Sequence, residues 1–137
     1  MANNYLQFSE ELKLTPKQAV WVREELEKAD KIEEPDIGEA GPGFDWAFEG
    51  TPDKPTLWLH ADEQGDAEKA AYFVQAFLRK FRLKRAFTLS WAETCSRPRL
   101  SEFGGGAIFV TAKKIEWLST YSWLADKVKA HKVKAHK

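Results

Sequence analysis

The chain has 137 residues, 43% of them hydrophobic, with 21 basic and 21 acidic side chains. That length suits one domain, burying roughly 68% of the unfolded surface, and the apolar content excludes disorder of the whole chain. A lone cysteine, Cys95, excludes an internal disulfide, and no apolar run approaches the ~20 residues of a membrane span.

The zero net charge hides a split. Residues 1–66 carry 16 acidic and 6 basic side chains, a net of −10, and residues 67–137 carry 5 and 15, a net of +10. One reading lays the two halves together so that they neutralise. The other gives the molecule an acidic face and a basic face that meet different partners. The polar, acidic start, Met1 to Glu11, lacks the basic and apolar regions of a secretory signal, so a cytoplasmic protein without a membrane partner is expected.

Residues 3–14 read as an irregular start anchored by Tyr5, Leu6 and Phe8. Thr15 before Pro16 marks an N-cap followed by proline at the first helical position. Ala19, Val20, Val22 and Leu26 then form a narrow apolar stripe on a helix over 16–30. Residues 31–43 carry prolines, glycines and acids without periodicity, as an exposed loop does.

Phe44, Trp46 and Phe48 alternate with Asp45 and Glu49, the pattern of a half-buried strand. A turn over 50–55 leads to a second strand, 56–61, paired antiparallel to the first. Leu57 and Leu59 share one face of it; Thr56, Trp58 and His60 share the other. Asp66 caps a second helix, 67–82, in which Ala70, Phe73, Val74, Phe77, Leu78 and Phe81 recur at helical spacing. Cations gather at its end, as the helix dipole favours.

Phe87 to Ala92 alternates as a third strand, a loop runs from Glu93 to Phe103, and Gly104-Gly105-Gly106 leads into a fourth, apolar strand. Ile115 to Leu118 forms a short fifth strand, and Ser119 or Thr120 caps a last helix; a start near Lys114 is the alternative. The tail repeats Val-Lys-Ala-His-Lys from Val128 and again from Val133, a frayed or duplicated basic end. The expected fold is α+β, a two-layer sandwich ordered α-ββ-α-ββ(β)-α. Its mostly antiparallel 4–5-stranded sheet carries helices on one face, over Phe44, Trp46, Phe48, Phe87, Leu89 and Trp91. Residues 1–126 form the single domain and 127–137 a basic C-terminal helix end or tail. Trp58 falls on the far, more polar face, as a binding feature or under the N-terminal segment.

The loop of Glu93, Cys95, Arg97, Arg99 and Glu102, followed by Gly104 and Gly105, is the densest group of reactive residue types. Arg97 and Arg99 suit a phosphate or carboxylate clamp, or they pair with Glu93 and Glu102 and set the loop's shape. The glycine triplet precedes a strand and has no P-loop lysine, so it marks a bulge or close packing under a ring or helix. Cys95 beside arginines has nucleophile chemistry only with a base in reach, and His60 is the one histidine outside the tail. His60, Asp62, Glu63 and Asp66 match no hard-cation loop, so no metal or cofactor is expected.

The stretch Trp91 to Ala112, WAETCSRPRLSEFGGGAIFVTA, resembles a motif of small bacterial proteins, some carried by phages and other mobile elements. The opening through Ser9 and the Phe73-Val-Gln-Ala-Phe-Leu stretch fit the same resemblance, which covers most of residues 1–126 and not the tail. It implies no activity and no catalytic residue. Three functions remain. The first is a non-enzymatic module binding a protein partner through the 93–106 loop, with Trp58 and His60 as further candidate binding residues. The second is a nucleic-acid-binding accessory factor using Lys69, Arg79, Lys80, Arg82, Lys84, Arg85, Arg97 and Arg99. The third is a small enzyme built on the Cys95 loop. Monomer and homodimer are not distinguished.

Overall fold

The computed structural model describes residues 3–31 and 41–135, so most of the predicted acidic loop, 31–43, lies outside the described residues. Its elements are β1 (Asn4–Lys13), α1 (Pro16–Asp30), β2 (Asp45–Gly50), β3 (Pro55–Ala61), α2 (Ala67–Lys80), β4 (Phe87–Cys95), β5 (Gly104–Val110), β6 (Ile115–Ser119) and α3 (Thr120–Ala135).

Both long helices over the sheet start where their caps demand. The Thr15 hydroxyl accepts from the Gln18 amide at 3.2 Å, and the Gln18 side chain accepts from the Thr15 amide at 2.9 Å, a reciprocal capping box. Asp66 accepts from the Lys69 amide at 3.0 Å at the head of α2.

The strands form one six-stranded antiparallel sheet ordered β2-β3-β1-β4-β5-β6. The fold is therefore α+β, with six strands where 4–5 were expected. The additional strand is β1, which the irregular reading of residues 3–14 overlooked. It sits between the two predicted hairpins. Asn4–Gln7 pairs with β4, and Phe8–Lys13 pairs with β3. The chain thus makes two interleaved split β-α-β units: β3 lies between β1 and β2, and β1 lies between β3 and β4. That is the connectivity of ferredoxin-like sandwiches, extended by β5 and β6.

α1 and α2 cover one face. Val22 and Leu26 of α1 and Val74, Phe77 and Leu78 of α2 are fully buried against Leu57, Leu59, Leu89, Ile108 and Val110 of the sheet. Each such side chain contributes roughly 1.5–3 kcal/mol relative to exposure. Phe44, Phe87 and Leu89 are buried as expected, while Trp46, Phe48 and Trp91 are half-buried at the margin of the core. Gln75 is the buried polar side chain of α2; its amide donates to the Thr111 carbonyl at 3.1 Å. Arg79 donates to the Ala112 carbonyl at 2.7 Å, so α2 also holds the β5–β6 turn.

α3 begins at Thr120, directly after β6, and continues through the first tail repeat into the second. It runs as regular helix to Ala135, the last described residue. None of its described side chains is buried. No helix among the described residues is long and apolar enough to cross a membrane.

Candidate interaction site at the β4–β5 loop

β4 continues to Cys95 and β5 starts at Gly104, so the predicted loop narrows to residues 96–103. The glycines explain how its base is built. A Cβ on Gly106 would collide with the Trp91 ring and the Leu118 carbonyl. A Cβ on Gly104 would lie 2.6 Å from the Tyr121 ring. Each glycine makes room for an aromatic ring, one of the two roles read from the triplet. Gly105 donates its amide to Thr120 Oγ1 at 3.2 Å, tying the strand to the head of α3.

The rings in turn position the loop. The Tyr121 hydroxyl donates to the carbonyls of Ser101 at 3.0 Å and Phe103 at 2.6 Å. Partial desolvation, then the carboxylates of Glu93 and Glu102, raise this hydroxyl above its ordinary value of 10.0. The Trp91 indole N–H donates to Glu93 at 3.3 Å. At the other end of the loop, Ser96 donates its amide to the Asn3 carbonyl and accepts from the Asn3 amide, both at 2.8 Å. Ser101 takes a φ of 64° where the chain turns back towards β5.

Between these anchors the tip is bare. Ser96 to Ser101 are all exposed, and Leu100 is 93% exposed between flanking Arg99 and the nearby Arg97. The two arginines do not pair with Glu93 or Glu102, as one reading of the loop supposed. Between described residues the ion pairs within 4.0 Å are Lys28–Glu25 and Lys114–Glu116. Glu93 and Glu102 instead line a cleft of about 280 Å³ with Glu63 and Tyr121 beside the start of β1. The described residues contain no group of three or more His, Cys, Asp or Glu side chains able to hold a metal ion.

Trp58 and His60 lie apart from this loop. They project from the bare face of β3, stacked on each other at 3.7 Å, and the Trp58 indole donates to Ser9 Oγ at 2.8 Å. Thr94 is opposite Tyr5 on β1 and His60 is opposite Ser9, four residues or about 13 Å further along the strand. Cys95 ends β4 opposite Asn4, half-exposed. The arrangement does not bring Cys95 to His60. In the basic half, Arg79 is tied to the Ala112 carbonyl, and Arg85 donates to the Lys13 carbonyl and lies over the Phe77 ring. Part of the predicted nucleic-acid surface is thus used to fasten helix and loop.

The sequence reading missed an apolar surface next to the loop. Phe109, Trp117, Leu118, Tyr121, Trp123, Leu124, Val128 and Val133 are exposed, eight of the twelve large exposed hydrophobics among the described residues. A hollow of about 280 Å³ with apolar walls separates Ala107 and Leu118 from Trp123 and Leu124. The available signal was the last helix, where Leu124 and Val128 stand four residues apart in a lysine-rich segment.

Compared with protein-family models, with curated proteins and with solved structures, the chain matches none.

Proposed function

We propose that the chain is a non-enzymatic protein-interaction module that presents the 96–103 tip to a protein partner. Its origin would be the bacterial or mobile-element setting that the Trp91–Ala112 stretch resembles. The observation that carries the reading is Leu100, 93% exposed at the tip of a loop fastened at both ends. An apolar side chain held in solvent by a rigid base is pre-organised for a pocket on another protein, which lowers the ordering cost of binding. Arg97 and Arg99 add cations not paired with any described carboxylate, which would set orientation and encounter rate. Loops on a rigid scaffold are where binding residues concentrate.

The test is quantitative affinity capture with wild-type protein and two variants, Leu100→Ser and Arg97→Ala with Arg99→Ala. Loss of the same partner from both variants, with unchanged thermal unfolding, supports the reading. Recovery of every partner at wild-type levels sinks the loop assignment.

A further inference from the structure

Three features of α3 and of the sheet face without helices belong together. The first is α3. It spans 16 residues, roughly 24 Å, and a helix of this length is marginal in water without packing. Trp123, Leu124, Val128 and Val133 are each about half exposed on it. It starts at Thr120 immediately after Ser119, so no connecting residue lets it fold back over its own sheet.

The second is the sheet face that carries no helix. On β1, β2 and β3 this face presents Trp58 stacked on His60, with Ala47 opposite Trp58 on one side and Glu11 opposite it on the other. Asp45 lies opposite His60 and Glu49 opposite Thr56. The result is a stacked ring pair with three carboxylates and one cation, Lys13 opposite Thr56, around it.

The third is charge. α3 carries Lys127, Lys129, Lys132 and Lys134 against a single acid, Asp126. The face of β1–β3 that carries no helix holds Glu11, Asp45 and Glu49, so α3 and this face differ in the sign of their charge.

We infer that α3 of one copy packs across the bare β1–β3 face of a second copy of this chain, reciprocally about a two-fold axis. A chain whose two halves carry equal and opposite charge is complementary to itself, and two-fold symmetry places each basic helix on the other copy's acidic face. Pairing α3 with α3 would instead set lysines against lysines. Leu124 and Val128, each about half exposed, stand four residues apart and share one side of α3. The lysines would meet Glu11, Asp45 and Glu49, while Leu124 and Val128 would cover Trp58. This contact is separate from the Leu100 tip.

Purified full-length protein tests it without any other partner. Sedimentation velocity up to about 100 µM should give a reversible dimer that weakens with salt. The variants Lys127→Glu/Lys129→Glu/Lys132→Glu and Glu11→Lys/Asp45→Lys/Glu49→Lys should each raise the dissociation constant at least about tenfold. Mixing them should restore a heterodimer, because each reversed surface then meets its opposite. Circular dichroism reports whether they fold, and the milder Lys→Gln and Glu→Gln versions should show the same order with smaller shifts. A wild-type monomer at the highest concentration overturns the inference, as do variants that dimerise like wild type or a mixture that restores nothing. A monomer that binds anionic vesicles or duplex DNA through α3 overturns it too and assigns the helix to that partner.

Discussion

Helices α2 and α3 are close in length, at 14 and 16 residues, and each follows a strand of the sheet, α2 after a connection and α3 with none. Yet α2 buries seven residues, and α3 buries none that is described. Their sequences explain the difference. In α2, Ala70, Val74, Phe77 and Leu78 lie along one side and the charges lie elsewhere. In α3, lysines recur at 127, 129, 132 and 134, and the apolar side is limited to Tyr121, Leu124 and Val128. One helix is stable because it closes a core. The other is fastened to its own fold at its first turn, through Thr120 and Tyr121, and beyond that turn rests on helical propensity and on what covers it.

That contrast can be broken in the protein itself. The largest effect is expected from Phe77→Ala, which empties a fully buried site beneath α2 and should cost about 3–5 kcal/mol in equilibrium denaturation. Gly106→Ala acts at the border between the two regions, where the added methyl meets Trp91 and the Leu118 carbonyl. The comparable cost of overpacking is about 1–3 kcal/mol. Thr15→Ala removes the cap of α1 and should cost about 1 kcal/mol. Val128→Ser on α3 should change stability by no more than about 0.5 kcal/mol in dilute solution. A loss there as large as that of Phe77→Ala would mean α3 is held by its own chain after all.

The mildest change is one of pH. Tyr121 holds its proton more tightly in the folded protein than free tyrosine does. Its contribution is therefore complete below the unfolded value near 10 and is lost as pH rises through the higher folded value. Hydrogen exchange in residues 101–103 should accelerate over that alkaline range, and Tyr121→Phe should show the faster exchange already at neutral pH. Identical exchange in the two proteins at neutral pH would remove Tyr121 as the anchor of the loop.

Much of this architecture was legible because periodicity follows burial. Pro16–Asp30 and the first hairpin were predicted nearly to their ends, while β4 and β5 each run three residues further towards their loop than predicted, and the apolar residues predicted to face the helices do so. β1 was not legible because its alternation of Leu6, Phe8 and Leu12 is broken by Glu10. Glu10 is tolerated in a central strand because its carboxylate accepts from the Ser90 amide at 3.0 Å, beyond the point where β1 leaves β4. The loop was singled out from its residue types, but its anchors were not, since Tyr121 and Asn3 reach it only through the fold. Trp58 was placed on the open face by alternation alone, and its stacking on His60 follows from their i, i+2 spacing. The apolar end at α3 escaped because lysine-rich repeats read as a solvated tail.

The seam made by β1 also has a bearing on how the chain is made. Asn4 pairs with Cys95 and Phe8 with Ala61, so β1 is synthesised well before either of its partner strands. At ~5–20 residues per second, it waits about ten seconds for its final partner. An apolar strand left open for that time would invite aggregation. Ser9, Glu10 and Glu11, the residues that hide β1 from a periodicity reading, are the kind of charged and polar gatekeepers that keep a waiting strand soluble.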